Sequence, residues 1–197
     1  LLSVRTGIPD YRFDGVMGLE ACDAFTDALS LIAAKPVPER IERYRSQLLD
    51  AMVDCHFVIG HARVAVAADP DILGQLIAFL VGMGADISAV VASARASSLA
   101  DLPIARIVIG DLEDLEDEAN GAGVDLVIAN SHAVRTADRL GAPLLRAGFP
   151  QYDWFGGHAK TWVGYQGSRQ VLFDIANMLS LSRRQIAPYH SSYRMSG

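Results

Sequence analysis

Asn130-Ser131-His132 sets an amide, a hydroxyl and an imidazole side by side at the end of an apolar run. That is where an open α/β sheet presents its ligand-binding groups. Neighbours on a turn rarely face each other, so Ser131 and His132 do not read as a nucleophile–base pair, and no G-x-S-x-G elbow accompanies them. Asn and Ser are also ordinary helix caps. A second group follows. Leu145-Arg146-Ala147-Gly148-Phe149-Pro150-Gln151-Tyr152-Asp153, then Gly164-Tyr165-Gln166-Gly167-Ser168-Arg169-Gln170, reads as a buried strand, a rigid turn, a loop rich in glycine and aromatics, and a closing helix. Arg146, Trp154 and His158 join Asn130, Ser131 and His132 as candidates for lining a cleft there. His158 has aromatic neighbours but no Asp, Glu or Cys at ligand spacing, so a surface or interface role outweighs metal ligation. Asp50 and Asp54 are four apart and share a helix face. They suit a hard cation but fill only part of its oxygen shell, and a solvated face is the plainer reading.

Other chemistries are excluded on composition and spacing. Cys22 and Cys55 are the only cysteines, lie in separate helical patterns and form no C-x-x-C pair. They are too few for a zinc site or an iron–sulfur cluster within this chain. Unpaired cysteines suit a reduced cytoplasmic setting. The turn Ala67-Ala68-Asp69-Pro70-Asp71 has no glycine, and its carboxylates repel phosphate, so it binds no dinucleotide. The net charge of −6 leaves no basic stripe for nucleic acid. The densest charge run, Asp111 to Glu118, is acidic and reads as the solvated start of a helix. Ile72 to Met83 is too short to span a bilayer, and residues 1–15 carry too many charges for a signal peptide. A hydrophobic share of 51 % and a charged share of 20 % describe a chain with a full core.

The elements that must position these residues follow from periodicity. Residues 1–17 have no period and read as a linker or extended arm. Cys22, Phe25, Leu29 and Ile32 recur at helical spacing up to Lys35-Pro36, and a second helix from Pro38 carries Ile41, Tyr44, Leu48, Met52 and Cys55. Then short apolar runs near residues 64, 88, 107, 127 and 144 alternate with helical stretches. The expected fold is α/β, a Rossmann-like doubly wound parallel sheet of about five strands with a helical lead-in. Right-handed crossovers give a sheet order of 3-2-1-4-5. The expected division is a lead-in over 1–57, a core over 58–182 and a tail over 183–197, all one domain.

Several short motifs occur in a specific order. Gly18-Leu19-Glu20-Ala21-Cys22-Asp23-Ala24-Phe25 resembles a G-x-x-A-T-D-x-F helix start, with Cys22 in place of threonine. Asp50-x-x-x-Asp54-x-His56, Ala68-Asp69-Pro70-Asp71, Asn130-Ser131-His132, Arg146-x-Gly148-Phe149-Pro150-x-x-Asp153 and Gly164-Tyr165-x-Gly167 follow. Each is weak alone, but the ordered set resembles the nitrogenase component 1 family over about Gly18 to Tyr193. The Gly-Ser-Arg-Gln run after Tyr165, and Tyr189-His190-Ser191, look like the branch that assembles the iron-molybdenum cofactor rather than the catalytic β subunit.

The resemblance implies a third, C-terminal domain of a longer subunit, which fits a chain beginning at Leu1. It implies an α2β2 heterotetramer with a sister subunit, docking by the nitrogenase iron protein, and iron–sulfur clusters and a cofactor precursor held elsewhere in the parent complex. This chain is expected to hold no cofactor and to act as a structural, subunit-contacting part of an oxidoreductase-like assembly. In the family's cofactor-bearing subunit a loop histidine helps hold the cofactor; counting back from Tyr165 puts that position near Trp154, not His158. The positions of Asp50 and Asp54 resemble a pair that helps bind a cation between β subunits, with further ligands from a second chain. The rival readings are a subunit of light-independent protochlorophyllide or chlorophyllide reductase, and a stand-alone small-molecule binding module.

Overall fold

A computed structural model describes residues 2–182. Two helices come first after a short arm: α2 (Leu19–Ala33) and α3 (Glu39–Ile59), the arm itself opening with α1 (Leu2–Thr6). Strands and helices then alternate. They are β1 (Arg63–Ala68), α4 (Pro70–Gly82), β2 (Asp86–Ala92), β3 (Val108–Ile109), α5 (Leu112–Ala119), β4 (Leu126–Ala129), α6 (Val134–Leu140), β5 (Leu144–Arg146) and α7 (Gly164–Ser182). The five strands are parallel and ordered β3-β2-β1-β4-β5, as the alternation predicts. No helix among the described residues is long and apolar enough to cross a membrane.

The period of two along the strands splits the core into two layers. Val64, Val66, Val90, Leu126 and Ile128 face α3, α4 and α7, where Leu48, Leu76, Leu80, Leu172 and Ile175 meet them. Ala65, Ala89, Val91, Val127 and Ala129 face the other way, onto Leu115 of α5 and Ala137 of α6. Small residues dominate the second face, which lets short helices sit close to the sheet.

One local expectation is corrected. Residues 1–17 are not wholly irregular: Leu2–Thr6 form a single turn of helix, with Val4 facing water. Asp69 stands at the N-cap of α4, but its side chain caps nothing; its carboxylate accepts from the Ser93 hydroxyl at the end of β2. Helix α7 starts at Gly164. Gly164 has φ +72° and its N–H donates to the Val16 carbonyl at 2.7 Å, so the chain turns into the helix there. The acidic run does start a helix. Asp111 caps α5 by accepting from the N–H of Glu113 at 2.8 Å, and Asp114 accepts from the N–H of Asp111 at 2.9 Å. Tyr189-His190-Ser191 and the rest of the 183–197 tail lie outside the described residues.

Candidate functional site

The strand order reverses between β1 and β4, which is where this architecture opens a crevice. A small cavity of about 210 Å³ sits there, lined by Asp69, Ser93, Gly110, Asp111 and Asn130 among others. Two carboxylates occupy the starts of α4 and α5, where a phosphate would otherwise use the free backbone N–H groups. The crevice is therefore built against anions.

Beside it the ends of β4 and β5 bring most of the expected residues together. Asn130 donates through its side-chain amide to the Phe149 carbonyl at 3.0 Å, and its side-chain oxygen accepts from the His132 N–H at 3.0 Å. Ser131 is buried, 1 % exposed. Its hydroxyl donates to Asp153, its N–H donates to the Pro150 carbonyl at 3.0 Å, and its oxygen accepts from the Tyr152 N–H at 3.2 Å. Arg146 grips the same Asp153 carboxylate, its Nε lying 2.9 Å from both oxygens. The His132 ring meets Tyr152 edge-on at 5.6 Å.

Trp154 sits over this clamp. The Arg146 guanidinium lies 5.2 Å from its ring centroid and the Lys160 ammonium 6.0 Å. Lys160 in turn pairs with Asp174 of α7 at 2.7 Å. The chain of contacts Ser131–Asp153–Arg146–Trp154–Lys160–Asp174 thus ties two strand ends, the loop and the last helix together. The guanidinium beside Asp153, helped by the Ser131 hydroxyl, holds its carboxyl well below the usual range. Asp153 and Lys160 were absent from the expected cleft residues. The signal for the first was present: opposite charges at Arg146 and Asp153 flank Gly148-Phe149-Pro150. The Phe149–Pro150 peptide is cis. His158 lies in the short turn Gly157–Ala159, and its side chain is outside the described residues.

A larger cleft of about 870 Å³ opens between β5, the first turn of α4 and α7, and the aromatic loop closes one side. Leu144, Leu145, Trp162 and Met178 give it an apolar lining, while Arg146, Lys160 and Asp174 on its wall are already paired within the chain.

The Gly164-Tyr165-x-Gly167 motif has a physical account. Gly164 supplies the left-handed turn. A Cβ at Gly167 would lie 2.7 Å from the Trp162 carbonyl carbon and 2.8 Å from the Thr161 oxygen, so the loop backbone passes where only hydrogen fits. The Tyr165 hydroxyl donates to Asp23 at 2.7 Å, and Arg45 of α3 donates to the same carboxylate at 2.9 and 3.0 Å. Burial pushes Asp23 up, but Arg45 and Tyr165 together outweigh it and hold the carboxyl below its ordinary value. Burial, with the Asp23 charge nearby, pushes the Tyr165 phenol up to about 12 despite a bond to Thr26 that lowers it.

Cys22 and Cys55 are both buried, on different helices. Burial pushes the Cys22 thiol up to about 11 and raises that of Cys55. Asp50 and Asp54 are exposed on α3, apart from the clamp, and no group of three or more His, Cys, Asp or Glu among the described residues could hold a metal.

Comparison with known proteins places this geometry. The family described as nitrogenase component 1 type oxidoreductase matches residues 1–180. The "Nitrogenase iron-molybdenum cofactor biosynthesis protein NifN" of Mesorhizobium japonicum is 41 % identical over 184 residues, covering 93 % of this chain and 40 % of that protein. The protein of the same name from Klebsiella pneumoniae is 41 % identical, covering 91 % and 39 %. That from Nostoc sp. is 43 % identical, covering 90 % and 40 %. A solved structure titled "Nitrogenase Cp1 at pH 6.5" superposes with a TM-score of 0.85 at 29 % identity, over 98 % of this chain and 45 % of that one. The chain thus spans about two-fifths of the length of the curated relatives it matches. With its parallel five-stranded sheet, its clamp loop and these matches, the chain belongs to the nitrogenase component 1 family.

Proposed function

We propose that this chain is the C-terminal domain of a NifN-like scaffold subunit for assembly of the iron-molybdenum cofactor of nitrogenase. In this reading it shapes the subunit and contacts its neighbours, and performs no chemistry itself. The observation that carries the second part is the fate of the polar groups beyond β4 and β5. Asn130, Ser131, Arg146 and Asp153 are all spent on bonds that build the loop. None is poised toward a reactant. The names and identities of the relatives support the first part.

The partners in this reading are a NifE-like sister subunit, in an α2β2 heterotetramer, and the nitrogenase iron protein. Iron–sulfur clusters and the cofactor precursor are cargo of the parent complex, held outside this chain. The outer face of α3 serves a subunit contact. There Leu49, Val53 and Phe57 recur every four residues and are exposed, beside Asp50 and Asp54. An apolar stripe next to two unneutralised carboxylates suits a contact that supplies both cover and a shared cation.

Co-expression of the full-length polypeptide with its NifE-like sister tests the reading. The expected product is an α2β2 complex that supports activation of cofactor-free nitrogenase in an extract lacking both scaffold subunits. A full-length polypeptide that ignores the sister subunit, or that assembles into a complex reducing protochlorophyllide, overturns it.

A further inference from the structure

No further inference is drawn: the strongest candidate, the exposed apolar patch of Leu29, Leu31 and Ile32 at the C-terminal end of α2, carries none, because nothing in the structure shows what covers it.

Discussion

Arg146 and Asp153 stand seven residues apart and close the turn after β5, with the guanidinium Nε 2.9 Å from each carboxylate oxygen. The ion pair is covered on most sides, with side-chain exposures of 19 % and 25 %. Two parallel N–H donors fix direction as well as charge. Arg146→Ala and Asp153→Asn should each speed amide exchange over 149–155, on the order of tenfold, with little effect on the sheet. Because both remove the same link, the double variant should behave like either single one. Additive effects of the two changes would show that the clamp is not one unit. The pair should be insensitive to pH near neutrality. Asp153 is depressed in the folded state, so its contribution is complete above the ordinary carboxylate pKa of about 3.9 and is lost as pH falls below it.

Gly167→Ala should be costly, about 1–3 kcal/mol by denaturant titration, because the new methyl meets backbone atoms of Thr161 and Trp162 that have no rotamer to yield. Gly164→Ala meets no atom within 4 Å and should cost only its left-handed strain, about 1 kcal/mol. Equal costs would refute the close-approach account of the motif.

Alkaline pH should weaken the fold in a defined window. Cys22 and Tyr165 have folded pKa values raised to about 11 and about 12, from ordinary values of 9.0 and 10.0. Their contribution is complete below the ordinary values and disappears as pH rises through the folded ones. A midpoint in urea that falls between pH 9 and pH 12, and less so in Tyr165→Phe, is the expected result. Neither thiol should react with iodoacetamide in the native chain at pH 8, and both should react in denaturant.

Nucleotides should not bind. Asp69, Asp71 and Asp111 stand at the helix starts that would cradle a phosphate, and Pro70 lacks an N–H. Calorimetric titration with NAD or ATP should give no heat of binding, and micromolar affinity would contradict the anion-repelling crevice.

Asp50→Asn with Asp54→Asn should loosen contact between the halves of the proposed tetramer. The iron content of each half should stay unchanged, because in the proposed reading the clusters are held outside this chain. Sedimentation of the full complex with iron analysis reads both. An unchanged tetramer at low concentration would remove the contact role.

The sheet was legible because its signals are local. Val64–Ala67 and Leu126–Ala129 are short apolar runs bounded by cap residues, and alternation with helices leaves few orders open. The motif Gly164-Tyr165-x-Gly167 was visible, but its meaning was not. Tyr165 meets Asp23 across 142 positions, and Gly167 makes room for a backbone that no spacing rule places there. Ser131 was misleading in a similar way. Its neighbour in sequence is His132, but its partner in space is Asp153, so a list of reactive side chains overstates what they can do. Asp69 stands at the start of α4, yet a hydroxyl from the adjacent strand end takes its carboxylate, a pairing 24 positions away that no local pattern shows.

The segment Val16–Gly18 also bears on how the chain acquires its shape. The Gly164 N–H donates to the Val16 carbonyl, the Gly18 N–H donates to Ser168 at 2.8 Å, and Cys22 lies against both Val16 and Ser168. The start of the lead-in is therefore sewn to the last helix. Such distant closures carry the largest entropy cost and are made late. During synthesis α2 and α3 must wait, with their inner faces uncovered, until α7 has left the ribosome. A nascent chain stalled before Gly164 would present Cys22, Leu48 and Cys55 to chaperones rather than to a core.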